Sequence, residues 1–260
     1  LQHEKGWDNM LTKTRQKEIL KLLENRGSVT LQELKDHLNT SESTIRRDLN
    51  TLDAQGKLVK VFGGAVAADN MSIRDEQVSR REEKNLEEKR LIARYAASLI
   101  QDDDFVYLDA GTTTGCMLDY ISDATTAVFV TNAPSHAQKL ARKGMEVILI
   151  GGRLKQSTEA VVGEEACRQI EKFNFSLGFL GSNGVSERSG FSTPDQDEAM
   201  VKKRAIERIH RCFVLCDHTK FYKVSPISFA KLEDAVVLTD SAPQGNFQEM
   251  PNIVEISEDE

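Results

Sequence analysis

SESTIRRDLNTLDA, residues 41–54, is the stretch on which the reading of this 260-residue chain turns. Ile45, Leu49 and Leu52 recur at the spacing of one helical face. Ser41 suits the N-cap of a helix over Glu42–Ala54, because its hydroxyl can accept an orphan amide of the first turn, and Gly56 ends that helix. With the apolar stripe turned to a core, Ser43, Thr44, Arg46, Arg47 and Asn50 face outward, most of them near the N-terminal end. In a helix-turn-helix that part of the second helix enters the major groove. Arg can donate two hydrogen bonds to guanine, and Ser, Thr and Asn suit bases or phosphates.

The flanks agree with this reading. Upstream, KTRQKEILKLLEN (13–25) carries Ile19, Leu20, Leu22 and Leu23 on one broad face, and Arg26-Gly27 stops the helix. Thr30-Leu31-Gln32-Glu33 reads as a capping box that opens a short helix with Leu31, Leu34 and Leu38 inward. Asn39-Thr40 makes the turn. Downstream, Lys57 to Gly64 alternates like a short hairpin, with Lys57 and Lys60 placed where a wing meets the phosphate backbone. A small helical domain with a merely solvated charged face shares single parts of this pattern. The agreement of helix spacing, exposed Ser/Thr/Arg set and wing favours DNA.

Charge is divided along the chain. Met10 to Ala68 holds 10 Lys+Arg against 7 Asp+Glu, whereas Asp69 to Glu260 holds 23 against 32. The body, at net −9, repels a polyanion, so any DNA contact belongs to the basic N-terminal module. The segment before Met10 is polar and patternless and is read as lying outside the fold. No apolar run approaches membrane-spanning length, and no secretory signal is present, which points to a cytoplasmic protein away from membranes. Cys116, Cys167, Cys212 and Cys216 are scattered and read as reduced thiols.

The run from Arg15 through Ala65, with Thr44-Ile-Arg-Arg-Asp-Leu49 as its most specific part, resembles the DeoR-type regulators of bacterial sugar metabolism. The resemblance assigns Ser43, Thr44, Arg46 and Arg47 to the groove. The turn has Thr40-Ser41 where the family usually has Val-Ser, and the wing has Lys60-Val-Phe62 where Arg and His are common.

Residues 69–90 are charged with mixed sign and read as a solvated linker that enters a helix near Asn85, with Leu86, Ile92, Ala93, Tyr95, Ala96 and Leu99 as its packing face. Beyond it, FVYLDAG (105–111), AVFVTN (127–132), EVILIGG (146–152), FSLGFLG (175–181), CFVLCD (212–217) and AVVLTD (235–240) are apolar runs. Helical stretches near 115–121, 134–143, 164–173 and 194–209 separate most of them. This alternation predicts a mainly parallel sheet covered on both faces. The expected organisation is a winged helix-turn-helix over 10–66, a linker over 67–84 and an α/β domain over 85–257.

Ligands of such sheets bind outside the carboxyl ends of the strands, and polar residues collect there. Asp109-Ala-Gly111-Thr112-Thr113-Thr114-Gly115 offers a tight turn, hydroxyls and amides to an anion, although it matches neither a Walker loop nor G-x-G-x-x-G. Thr131-Asn132, Gly152-Arg153 with Lys155, Asn183-Gly184, Asp195 with Glu198, and Lys220 end or follow the other strands. Hydroxyls, amides and a few cations suit a polyhydroxylated anion. The resemblance extends to Asp240 and implies a fold related to ribose-5-phosphate isomerase and coenzyme A transferases, with a sugar-phosphate effector and no cofactor. It implies that Thr112 to Thr114 hold the phosphate, that Lys220 neutralises it, and that Asp109, Asn183, Asp195 and Glu198 read hydroxyls. A homodimer or higher oligomer on double-stranded operator DNA, repressing until a phosphorylated sugar binds, is the expected mode of action.

The alternative is an isomerase carrying a DNA-binding domain. Asp195, Asp197 and Glu198 with Lys202 or Lys220 have the residue types for such chemistry. Carboxylates at a helix start also favour its dipole, Lys202-Lys203 reads as a solvated face, and family members are binders, so no catalytic residue is assigned. His210, Cys212, Cys216 and His218 share strand parity, but the outer pair would lie ~26 Å apart in an extended strand, too far for one ion. No metal site is expected.

Overall fold

The computed structural model describes residues 12–23, 28–61, 63–67, 77–243 and 246–257. They belong to two compact units, one within residues 1–71 and 244–248 and one within 72–243 and 249–260.

The first unit runs α1 (12–23), β1 (Ser28–Thr30), α2 (Leu31–Leu38), α3 (Glu42–Ala54), β2 (Leu58–Val61) and β3 (Gly64–Ala67). The capping box forms: the Thr30 hydroxyl accepts from the Glu33 amide at 3.1 Å, and the Glu33 carboxylate accepts from the Thr30 amide at 2.7 Å. Asn39 ends α2 in the left-handed region at φ 44°, and Ser41 caps α3. Leu34, Ile45, Leu49 and Leu52 pack with Ile19, Leu23 and Leu58 in one core. Asp48 is buried as well, paired with Arg15 and accepting from Gln16 Nε2 at 3.2 Å, which ties α1 to α3. The strands form an antiparallel sheet in the order β1-β3-β2. Only glycine fits position 64, where a Cβ would lie 2.1 Å from the Val29 carbonyl oxygen of the neighbouring strand. The expected stop at Arg26-Gly27 and the wing residue Phe62 lie outside the described residues.

The second unit opens with α4 (Val78–Glu83) and α5 (Leu86–Ser98). The charge pattern predicts solvated linker through Lys84; instead 78–83 is helical, and the Val78 amide donates to the Ser157 carbonyl at 3.1 Å. A six-residue helix is unstable alone. Docking holds it.

The six apolar runs become β4 (Phe105–Leu108), β5 (Val128–Thr131), β6 (Val147–Leu149), β9 (Phe175–Gly181), β12 (Ile209–Leu215) and β14 (Val236–Thr239). With β15 (Ile253–Glu255), too short a run to read in sequence, they form a seven-stranded sheet among the described residues, in the order β15-β14-β12-β9-β4-β5-β6. Every pairing in it is parallel. Alternate side chains face opposite ways. Val106, Leu108, Phe129, Leu177 and Phe179 pack on one face against α5, α6 (Thr112–Met117) and α7 (Pro134–Arg142). β7 (Arg153–Leu154) and β8 (Val161–Val162) form a hairpin ahead of α8 (Glu164–Ile170), which packs with α9 (Gln196–Ile206) beside β12. β10 (Gly184–Ser186), β11 (Gly190–Thr193) and β13 (Ile227–Ala230) form a small antiparallel sheet. Rich in Gly and Ser, β10 and β11 have no apolar run to announce them.

The chain leaves β4 towards β5 and β6, whereas β9 pairs on β4's other edge. The strand order reverses there, and the carboxyl ends diverge into a crevice.

Candidate functional site

Two surfaces carry the chemistry, one in each unit. On α3, Ser43, Arg46, Arg47 and Asn50 are exposed, and Thr44 is half-buried. The Ser41 hydroxyl lies 2.9 Å from both Ser43 Oγ and Thr44 Oγ1, so the cap also orients the two hydroxyls beside it. Arg46 pairs with Glu42 at 2.7 Å one turn back. An exposed pair of this kind is worth about 0.3–0.5 kcal/mol, so it yields readily to a phosphate or guanine. Lys57 and Lys60 are exposed too. Lys60 Nζ donates to Asn50 Oδ1 at 2.7 Å, which joins β2 to the outer face of α3. Of the side chains expected to meet DNA, Lys60 thus lies beside the exposed face of α3 that carries Ser43, Arg46, Arg47 and Asn50.

In the second unit a cleft opens at the carboxyl ends of β4, β5, β9 and β12. Of the residues expected there, Asp109, Gly111, Thr112, Thr113, Asn132, Asn183, Glu198 and Lys220 line it. Thr112 and Thr113 belong to the first turn of α6, which begins earlier than the sequence predicts. Asp109 is buried and ion-paired with Lys202, and its Oδ2 also accepts from the Gly181 amide at 3.0 Å. Glu198 accepts from Thr158 and, at 3.2 Å, from Thr193 Oγ1. Lys155 lies behind the wall, 3.3 Å from Glu198 and 3.2 Å from Asp195.

Other expected residues have structural work instead. Thr114 is fully buried, its hydroxyl donating to the Asp109 and Gly111 carbonyls at 2.7 and 2.6 Å. Thr131 is likewise buried and donates to the Leu108 carbonyl at 2.6 Å. Asp195 caps α9 by accepting from the Glu198 amide at 2.9 Å. Arg153 pairs with Asp197 at the surface, and Gly152 is exposed beside it. Gly184 lies where a Cβ would meet the Lys223 carbonyl oxygen at 2.4 Å. None of these six lines the cleft.

The cleft also holds side chains to which the sequence reading gave no effector contact: Arg81, Lys84, Asn85, Lys89, Thr158, Asp217 at a polar strand end, and Lys202, which it weighed only for isomerase chemistry. Lys202 is not part of a solvated face; it is 7% exposed, whereas Lys203 faces water. Spacing could have found two of them. Lys89 precedes Ile92 and Ala93 by three and four positions, and Lys202 stands likewise before Ala205, so each lies on its helix's apolar face. Arg81 gives no such signal, because α4 has no apolar stripe to set its phase.

The cleft's cations are Arg81, Lys84, Lys89, Lys202 and Lys220, against the carboxylates of Asp109, Glu198 and Asp217. Cations outnumber carboxylates here although the surrounding domain is acidic. The excess lies on the α4–α5 side, since Asp109 is matched by Lys202. Burial, with Lys220 and Arg81 adding, holds the Lys89 ammonium below its ordinary value, although Asp217 and Cys116 pull the other way. Burial alone pushes the Asp217 carboxyl up, but Lys220, Thr219 and Asn85 outweigh it and bring it below the usual carboxylate value. Asn85 Nδ2 reaches Asp217 Oδ1 at 2.9 Å, fixing the carboxylate that faces Lys89 and Lys220.

The thiols of Cys212 and Cys216 are pushed up to about 12 by burial, which makes them inert. Among the described residues no group of three or more His, Cys, Asp or Glu could hold a metal ion, and no helix is long and apolar enough to cross a membrane.

A helix-turn-helix joined to an α/β domain with a polar cleft is the layout of a transcription regulator that senses a small molecule. Residues 15–71 match the DeoR-like helix-turn-helix domain, and residues 84–241 match the DeoR C terminal sensor domain. The chain belongs to the DeoR family of DNA-binding transcription regulators. It is 40% identical over 243 residues to the uncharacterized HTH-type transcriptional regulator FruR of Bacillus subtilis (strain 168), covering 92% of this chain and 96% of that one. It is 33% identical over 244 residues to the lactose phosphotransferase system repressor of Staphylococcus aureus (strain MRSA252), covering 92% and 96%. A ribose 5-phosphate isomerase A from Methanocaldococcus jannaschii is a looser structural neighbour, with a TM-score of 0.41 and 14% identity over 54% of this chain and 56% of that one.

Proposed function

We propose that the protein represses a sugar-utilisation operon and leaves its operator when a phosphorylated sugar fills the cleft of the second unit. The observation that carries this reading is the cleft's charge: more cations than carboxylates, inside an acidic domain, at the carboxyl ends of a parallel sheet. In this reading the phosphate lies by Lys89, Lys220, Thr112 and Thr113. Asn132, Asn183 and the engaged Asp109 and Glu198 form the wall that reads hydroxyls. The staphylococcal relative, named a lactose phosphotransferase system repressor, supports repression and a sugar link.

Binding without turnover fits the same wall. Asp195 is used as a helix cap, Asp197 is paired with Arg153, and Glu198 is bonded to two threonines, so none of the three is poised as a base. On DNA, one recognition helix reads one half-site, so the protein acts as a homodimer or higher oligomer. The effector favours one arrangement of that oligomer and shifts the population away from DNA-competent geometry.

Thermal unfolding of the full chain against fructose, tagatose and hexitol phosphates, each beside its free sugar, tests the reading. At a hundredfold excess over Kd, a bound sugar phosphate should raise Tm by roughly 5–10 °C and the free sugar far less. In gel shifts that sugar phosphate should release operator DNA. A shift with free sugars alone, or none at all, overturns the reading.

A further inference from the structure

Arg81 stands apart from the other cations of the cleft. Its Nε is buried with no hydrogen-bond partner among the described residues, although the side chain lines the cavity. A buried guanidinium nitrogen left unmatched is costly, and such a group is commonly completed by a ligand. Arg81 is also on α4, the helix by which the chain enters the sensor unit from the DNA-binding unit. Two polar contacts hold that short helix in place. The Val78 amide donates to the Ser157 carbonyl, next to cleft-lining Thr158, and Lys89 Nζ donates to the Arg81 carbonyl. Lys89 thus supports α4 while facing Asp217 and Lys220 across the cleft.

Resting on the anionic-effector reading above, we propose that Arg81 is a ligand-binding residue whose guanidinium closes on the effector's anionic group beside Lys89 and Lys220, so that occupancy of the cleft clamps α4. Among the described residues the one carboxylate facing Lys89 and Lys220 is Asp217, so a bound anion adds the counter-charge for a third cation, and a planar guanidinium grips a phosphate in two places where an ammonium grips it in one. A helix of this length takes its stability from docking, so an added ionic anchor changes its population strongly. Effector binding is felt first in the segment that leads to the DNA-binding unit.

The test uses the full chain, with inorganic phosphate as the probe because phosphate needs no knowledge of the sugar. Arg81→Gln should weaken phosphate binding about tenfold or more by isothermal titration, and Arg81→Lys should fall between Gln and the parent. Arg80→Gln, a solvent-facing change on the same helix, should bind like the parent. In hydrogen exchange, saturating phosphate should slow the amides of 78–83 in the parent and Arg80→Gln but not in Arg81→Gln. Without phosphate, Arg81→Gln should melt no lower than the parent, which separates ligand binding from a structural role. Equal phosphate affinity in Arg81→Gln and the parent overturns the proposal and leaves the anionic cleft standing. Weaker binding with unchanged exchange over 78–83 overturns the clamp. If neither inorganic phosphate nor any hexose phosphate of the panel binds the parent, the anionic-effector reading fails, and this proposal fails with it.

Discussion

Each unit of this regulator holds an ion pair on a buried carboxylate, and the two pairs are used differently. Arg15–Asp48 fastens α1 to α3 behind the recognition face, and Arg46 and Arg47, the arginines expected to read DNA, remain outside in water. Lys202–Asp109 lies inside the cleft, where it joins β4, β9 and α9 and forms part of the lining. The DNA-binding unit keeps its scaffold pair apart from the arginines proposed to read DNA. In the sensor unit the proposed effector contacts and the scaffold use the same side chains, so that in this proposal binding and stability are coupled. Such coupling suits a domain whose task is to change its population of states when a ligand arrives.

The contrast is sharpest in stability. Asp109→Asn leaves Lys202 charged and buried and should destabilise the sensor unit by about 3–5 kcal/mol in urea unfolding. Asp48→Asn should cost about 1–3 kcal/mol, because the partly exposed Arg15 can turn to water. Equal losses would erase the distinction between the two pairs.

Next in size is a pH effect confined to the sensor unit. His136 on α7 is buried, and burial pushes it from 6.5 down to about 4 against the upward pull of Asp109. The unfolded chain therefore takes up a proton that the folded protein refuses. Stability from this group is complete above 6.5 and is lost as pH falls towards 4, a change of at most about 3 kcal/mol. His136→Leu should flatten urea-unfolding free energies across that window. An unaltered slope would mean that other groups carry it.

The division of labour is tested by crossing two substitutions. Arg47→Ala should cost about 1–3 kcal/mol of operator discrimination in gel shifts, with folding stability unchanged within about 0.5 kcal/mol. Lys220→Ala should leave operator affinity as it is and weaken the response to sugar phosphate about tenfold or more. Loss of both functions in either variant would break the separation. The smallest effect belongs to the wing: Lys60→Ala should weaken operator and random DNA alike and reduce the salt slope by about 1.

The two regions also differed in how far they could be read in advance. The capping box at Thr30, the cap at Ser41 and the inward set Ile45, Leu49 and Leu52 were legible because each depends on neighbours within one or two helical turns. The six apolar runs announced the strands of the sheet for the same reason. In the cleft, Asp109, Thr112, Thr113, Asn132, Asn183 and Lys220 were legible as polar strand ends. Thr114 and Thr131 have the same chemistry one step away, yet turn their hydroxyls into backbone carbonyls. Sequence does not distinguish a threonine that faces a ligand from one that closes a turn.

Local periodicity, capping chemistry and charge division were therefore determined by the sequence itself: a winged helix-turn-helix ahead of a parallel α/β domain, with the exposed arginines named. The tertiary structure alone decided which cations converge. Lys89 and Lys202 face Asp217 and Asp109 over separations of more than ninety residues, and Arg81 joins them from a stretch that reads as linker. The physical reason is range. A helix or cap is settled by contacts a few residues apart, whereas the charge balance of a cleft is a sum over side chains that only the closed sheet brings together.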